Sequence, residues 1–440
     1  MGTNVKSIKI ILKTALCLLI LVSGCNEKEV ELVDGNMSYK HDSSQPVRLD
    51  SFSPLEGSRD TEIIVYGNNF SSNPRDIIVT INNMRATVHE AYKDKLVITV
   101  PNKSGSGKIK ISIAGREVES TVDFNYIRGT LTVRTLAGTG LSGYKDGSSS
   151  EAQFNFSIRG AGIVTDTYGN VFVADVGNHA IRKITPSGLV STFAGNGTAG
   201  STNGIGNNAN FYHPYGLAID AQNNLYVADT WNWQIRKITP QGEVSIFAGI
   251  PNPCGITVDK RNGDVFSISY DAGIVYRFSR QGDLIEQIRV NGTRMLGDIE
   301  VDSKGNLYVV DNYGCNIEKL NAGTWEKSRF AGSTTYGFLN GPGNQAQFAS
   351  PWGIGIDVND NLYIGGTGDN SDNTSPDHTI RFINGTTKEV SSIAGAGKGF
   401  ANGTISRARF SSPADVAVDP TGIIYVLDRN NHCIRKISLE

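Results

Sequence analysis

The sequence predicts an all-β protein, a small antiparallel sandwich followed by a six-bladed β-propeller. Three observations predict it. A unit of four short apolar strands recurs six times across residues 130–440. Short alternating runs separated by turn clusters fill residues 46–127. Fifty glycines against four methionines suit a chain of many turns and few helices.

The N-terminus opens with Lys6, Lys9 and Lys13, then an apolar run from Thr14 to Val22. That run is too short to span a bilayer, which takes about 20 apolar residues. It ends in Leu21-Val22-Ser23-Gly24-Cys25. Small residues before the cysteine admit the scissile bond to a peptidase site, and the thiol accepts a lipid. This resembles the lipobox of bacterial lipoproteins, which implies a signal peptide over 1–24 and lipidation at Cys25. The acidic-rich stretch Asn26 to Glu31 resembles the surface-export signals of Bacteroidota lipoproteins. The implied location is the outer membrane, lipid-anchored and at the cell surface. Residues 25–45 are polar and aperiodic and read as a lipidated, flexible tether.

A formal net charge of -2 and a pI near 6.3 argue against a nucleic-acid or anionic-membrane partner, leaving the lipid as the membrane contact. Beyond Cys25, the mature chain has Cys254, Cys315 and Cys433 at unrelated repeat positions. They read as small buried apolar residues rather than a disulfide framework. The chain has no CxxC and no His/Cys cluster, so a structural zinc site has no support.

Within 46–127, the runs Glu62 to Tyr66, Asp76 to Ile81, Leu96 to Val100 and Lys108 to Ile113 predict strands of a sandwich. Phe52-Ser53-Pro54-Leu55-Glu56-Gly57, followed by Ile63-Ile64-Val65-Tyr66-Gly67-Asn68-Asn69-Phe70, resembles the opening of IPT/TIG immunoglobulin-like domains. Ser58-Arg59-Asp60-Thr61 stands where a glycine is usual.

The propeller repeats align on Asp166, Asp220, Asp259, Asp302, Asp357 and Asp419, each closing a first strand. Four residues earlier stands Gly162, Gly216, Gly255 or Gly353, with Asp298 and Asp415 in the other copies. Second strands follow, as in Leu225-Tyr226-Val227-Ala228-Asp229, then third strands such as Ile235-Arg236-Lys237-Ile238. Fourth strands end in Phe-Ala-Gly or a close variant, as at Phe247-Ala248-Gly249. This wording closely resembles NHL repeats. The chain stops after a third strand, while Leu131 to Ala137 matches the fourth-strand pattern. Pairing the two would close the ring and hide both edges.

Loops from a fourth strand to the next first strand are long at Gly138 to Gly162, Gly195 to Gly216, Gly332 to Gly353 and Gly395 to Asp415. Loops of that length in a compact domain are functional more often than idle. Each carries a phenylalanine, Phe154, Phe211, Phe348 or Phe410, which reads as a plug between blades. Aromatics that break the repeat map to the same face: Trp231, Trp233 and Tyr313 between second and third strands, Tyr215 and Trp352 before first strands, and Tyr212 and His213 beside them. Flat rings beside amides suit pyranoses, whose axial C–H groups pack on a π-face, whereas burial at the rim is the plainer role for each ring alone. Trp325 maps to the other face.

Asp175, Asp229, Asp311 and Asp428 end second strands and read as turn caps. Asp298 and Asp415, near the central channel, are the candidate ligands for a structural or channel divalent cation; no other cofactor is expected. Related six-bladed lyases and lactonases hold a channel metal with His, Glu or Tyr, but of six histidines only His213 maps near the channel mouth. No nucleophile motif, phosphate loop or cofactor fingerprint is present, which favours binding over catalysis. Pairing IPT/TIG with NHL repeats resembles accessory binders of Bacteroidota polysaccharide-utilisation systems. The resemblance implies a glycan or oligosaccharide ligand and an outer-membrane transporter complex as partner. The alternatives are a propeller hydrolase or lyase with a channel metal, and a protein-docking scaffold.

Overall fold

The computed structural model describes residues 39–440 except 60, 103, 128, 157–161, 291–294, 367–376 and 440, and the backbone of Leu32–Val33 and Asn36–Met37. Cys25 and the signal peptide lie outside the described residues. The chain divides into two compact units, 1–129 and 130–440.

The first unit carries the immunoglobulin-like fold, with eight strands between Arg48–Ser53 and Arg116–Tyr126. Period-two alternation sets its core. In Ile77–Ile81 the residues Ile77, Val79 and Ile81 point inward, and Ile63, Val65, Phe70, Ile98, Ile111 and Phe124 meet them. Hydrophobic runs alone do not mark Met84–Ala91 and Arg116–Tyr126, because most of their outward positions are polar or charged. Residues 39–45 differ from the flexible tether that composition suggests. The Asn69 side chain, 1% exposed, gathers them: its Oδ1 accepts Asp42 N–H at 2.8 Å and its Nδ2 donates to the Asp42 and Gln45 carbonyls at 2.9 Å each. A buried amide that pairs loop backbone in this way replaces the ladder bonds a strand would supply.

The second unit is a six-bladed propeller. Blade one comprises Ile163–Thr165, Val171–Asp175, Ala180–Ile184 and Val190–Ala194, paired antiparallel in sequence order. Blades two to five repeat that order from Pro214–Ile219, Pro253–Val258, Leu296–Val301 and Pro351–Ile356. Blade six joins Pro413–Val418, Ile424–Asp428 and Cys433–Leu439 to Leu131–Ala137, with Leu131 opposite Leu439 and Val133 opposite Ile437. The ring therefore closes with the two ends of the propeller chain in one sheet, as the strand inventory predicted.

The repeated aspartates after the first strands hold their turns. Asp166 Oδ1 accepts N–H of Tyr168 (2.9 Å) and Asn170 (2.8 Å), and Asp220, Asp302, Asp357 and Asp419 do the same in their blades. Phe154, Phe211, Phe348 and Phe410 are fully buried in the clusters between adjacent blades. Trp325 is half-buried against an interblade cluster, edge-on to Phe266 at 5.8 Å and beside Arg277. Cys254, Cys315 and Cys433 are free and buried.

Candidate ligand-binding face

The long loops owe their order to one buried arginine each. Third strands of the form Ile-Arg-Lys-Ile place an arginine at a position facing the loop. Arg182 is 0% exposed; it pairs with Asp175 at 2.7 Å and donates to the Gln153 and Lys145 carbonyls at 3.0 and 2.9 Å. Arg236, Arg381 and Arg435 do the same with Asp229, Asp377 and Asp428, each reaching two carbonyls of its own loop. Phe154, Phe211, Phe348 and Phe410 lie under these guanidinium groups at 4.9–5.3 Å. A planar five-donor fork suits this task, since it satisfies several carbonyls at once while stacking on a ring.

Asp175, Asp229 and Asp428 therefore act differently from the turn caps expected of them. They accept the N–H of Asn155, Tyr212 and Ser411 in the preceding loop at 2.7 Å, besides bonding the turn's asparagine side chain and the arginine. Asp311 alone of the four takes a turn N–H, that of Gly314 at 2.8 Å. Burial raises Asp428 to about 6, against the pull of Arg435. Blades three and four carry Tyr276 and Glu318 where the arginine would stand. They are also the blades entered by short connections, from Gly249 to Pro253 and from Arg289 to Leu296. Arginine and long loop come and go together. Blades five, six, one and two thus form a raised arc, and blades three and four a gap in it.

At the junction of blades one and two the arc carries a ring cluster. Tyr212 and His213 contact Trp231 at 5.1 and 4.6 Å between centroids, and His179 contacts both at 5.6 and 4.5 Å. Trp231 is 52% exposed, while His213 is buried beneath it. The left-handed residues His179, Trp233 and His432 end equivalent single-turn 3-10 helices, which set the direction of these side chains. Trp233 and Tyr313 are exposed, each on its own turn. Tyr215 is half-buried against the core of blades one and two. Trp352 is only 6% exposed and packs on Tyr270, so it is a core ring and not part of an open aromatic surface. Of the sequence candidates, the fold brings Trp231, Tyr212 and His213 together. His179 belongs with them, and its signal was its place in blade one's turn, equivalent to that of Trp233 in blade two.

Asp298 and Asp415 sit in the channel wall, where they stitch neighbouring blades. Asp415 Oδ2 accepts Ile163 N–H at 2.9 Å and its Oδ1 accepts Val416 N–H at 2.8 Å; Asp298 bonds Ile299 and Ile354 N–H. Burial, then the charge of Glu300 on Asp298 and of Asp298 on Asp415, pushes both carboxyls well above the usual range. Burial also raises Glu300 to about 7. Among the described residues no group of three His, Cys, Asp or Glu side chains is placed to hold a metal ion. Beyond these carboxylates the channel widens, at the mouth away from the long loops, into a cavity of about 480 Å³ walled by Leu217, Ile256, Val301, Ile356 and Val416.

Three histidines staple adjacent blades. His179, His378 and His432 each accept, at Nδ1, a backbone N–H from the next blade's loop: His213 (3.2 Å), Ser412 (3.0 Å) and Phe156 (3.2 Å). That bond needs the neutral ring with its proton on Nε2. Burial lowers all three ring pKa values below 6.5; His213 adds to this at His179, and Lys398 and Arg429 add to it at His378. A folded value below the unfolded one means stability present above the unfolded pKa and lost as pH falls toward the folded value. The raised channel carboxyls act in the opposite sense, so site-resolved titration is the fitting measurement. Ring NMR should find these three histidines titrating below an ordinary exposed histidine; titration at the ordinary imidazole value would refute the staple.

The chain matches the IPT/TIG domain over residues 46–126 and the NHL repeat over 410–437. It is 27% identical over 320 residues to Protein SUPPRESSOR OF QUENCHING 1, chloroplastic, of Arabidopsis thaliana, covering 69% of this chain and 27% of that protein. It spans less than half the length of the curated relatives it matches. A structural genomics protein of unknown function from Bacteroides thetaiotaomicron superposes with TM-score 0.73 at 21% identity, over 91% of this chain and 100% of that one. An auxiliary nutrient binding protein from Bacteroides ovatus does so with TM-score 0.58 at 20% identity, over 91% and 100%. These two likenesses extend over both domains and show the fold.

Proposed function

We propose that this chain is a lipid-anchored outer-membrane lipoprotein that binds an extracellular glycan on the long-loop face of its propeller. The observation that carries the reading is the ring cluster of Trp231, Tyr212, His213 and His179, open to solvent at Trp231 in the turn after the second strand of blade two. An exposed tryptophan backed by packed rings is a preformed platform for a sugar ring, with little ordering cost on binding. The structural neighbour described as an auxiliary nutrient binding protein supports a binding role. In this reading the IPT/TIG domain spaces the propeller from its anchor, and an outer-membrane transporter complex receives the ligand.

Trp231→Ala should weaken glycan binding by about one to two decades, taking roughly 1–3 kcal/mol per stacked ring. Its melting temperature should stay near the parent's, because the ring lies outside the core. Trp352→Ala should instead lower the melting temperature, because that ring is buried. Calorimetric titration with an oligosaccharide that the parent binds checks both; undiminished affinity in Trp231→Ala would end the assignment. For the anchor, Cys25→Ser should release the protein from membranes. Retention of that variant in the outer-membrane fraction after a salt wash would disprove the lipid anchor.

A further inference from the structure

We propose that the cleft between the first and second long loops is a second carbohydrate subsite, taking a pyranose ring against Tyr144 with its hydroxyls on Asp146, Asn196 and Asn207. It rests on the glycan reading above. The cleft holds about 310 Å³ and is lined by Tyr144, Asp146, Thr192, Gly195, Asn196 and Asn207.

The repeat separates what folding needs here from what it does not. In three of the four long loops the buried arginine takes one side-chain oxygen from an asparagine: Asn203 at 2.6 Å, Asn340 at 2.9 Å and Asn402 at 2.8 Å. The first loop has Asp146 instead. Its Oδ1 meets Arg182 at 2.5 Å, and its Oδ2 accepts only Thr192 N–H, at 3.0 Å, with the side chain 48% exposed. A charge and an open acceptor lone pair have been added beyond what the clamp requires.

Two residues earlier an aromatic ring recurs in three of the four loops. Phe338 and Phe400 cover their arginines at 4.7 and 4.8 Å, and Ser201 stands at that position in the second loop. Tyr144 covers Arg182 at 5.1 Å and adds a hydroxyl, 3.2 Å from Thr192 Oγ1. Gly197 packs beside the ring, where a Cβ would come within 3.0 Å of Tyr144 Cε1, and the ring stays 42% exposed. Asn196 Oδ1 is occupied by Thr198 N–H (3.0 Å) and Asn210 Nδ2 (2.8 Å), which turns its NH₂ outward, and Asn207 is exposed. A ring face, a carboxylate acceptor and amide donors, with the first two fixed by one buried guanidinium, match the C–H faces and hydroxyls of a neutral sugar.

The repeat also supplies variants compatible with the fold. Tyr144→Ser and Asp146→Asn install the residues that the second loop already carries. The purified full chain is run in native gels containing xylan, glucomannan, pullulan or laminarin. For whichever polysaccharide retards the parent, the double variant should need about tenfold more polysaccharide for equal retardation, while Tyr144→Phe should stay close to the parent. If the double variant melts early, Asp146→Asn alone carries the test. The subsite is refuted if these variants migrate like the parent while Trp231→Ala loses retardation. If none of the four polysaccharides retards the parent, the glycan reading fails and the subsite with it.

Discussion

Deleting Leu131–Ala137 should unfold the propeller as a whole. This strand is the outer strand of blade six, paired along its length with Cys433–Leu439. It also carries Val133 and Ala137, both 0% exposed, into two different interblade clusters. Without it, the Cys433–Leu439 strand presents an unpaired edge, and the ring is no longer held closed through one continuous sheet. A domain is stable by only about 5–15 kcal/mol, so losing a strand and two core contacts at the single closure point should exhaust most of that margin. Circular dichroism and thermal melting of the deletion variant are the measurement. A cooperative transition at the parent's temperature would mean that the ring closes by other contacts.

The second large effect is expected at the arginine clamps. Arg435→Ala would leave the Asp428 carboxylate buried with Ser411 N–H and Asn431 as its remaining partners, and would leave the Arg409 and Ala401 carbonyls with only each other's N–H. Removing one partner of a buried pair costs about 3–5 kcal/mol. For a domain of this size that corresponds to a fall in melting temperature of roughly 5–8 °C. Arg435→Lys should recover little, since a single ammonium cannot reach the acceptors that the planar fork serves. Limited proteolysis should find the loop between Gly395 and Asp415 cut faster in the alanine variant. A melting temperature within a degree or two of the parent's would show that the loop is held by its phenylalanine instead.

The repeat made much of this legible. Turn aspartates such as Asp166 act through bonds to residues two and four positions on, so the sequence window that contains them contains their function. The plug phenylalanines were legible for a related reason, since an apolar residue recurring at one place in a repeat has one role. The buried arginines were not singled out, although the signal was present: Asp175 and Arg182, Asp229 and Arg236, and Asp428 and Arg435 share one spacing. An arginine flanked by a lysine on a strand looks like a solvent-facing pair, and hydropathy cannot distinguish the two. The long loop folded over the third strand is what supplies the buried arginine with its carbonyl partners.

The aromatics divide in the same way. Their sequence places Trp231 and Trp352 on one face of the ring, and the fold keeps both there. Whether a ring at that face is open or covered depends on what the neighbouring blades contribute. Tyr270, from blade three, packs on Trp352, while Tyr212 and His213 lie beside Trp231 and leave its outer surface bare. By itself, then, the sequence determined what depends on period and on near neighbours: strand order, blade number, ring closure and the turns. The tertiary structure alone decided which polar groups are buried and which rings face solvent, because those properties belong to pairs of residues that meet only when separate blades pack together.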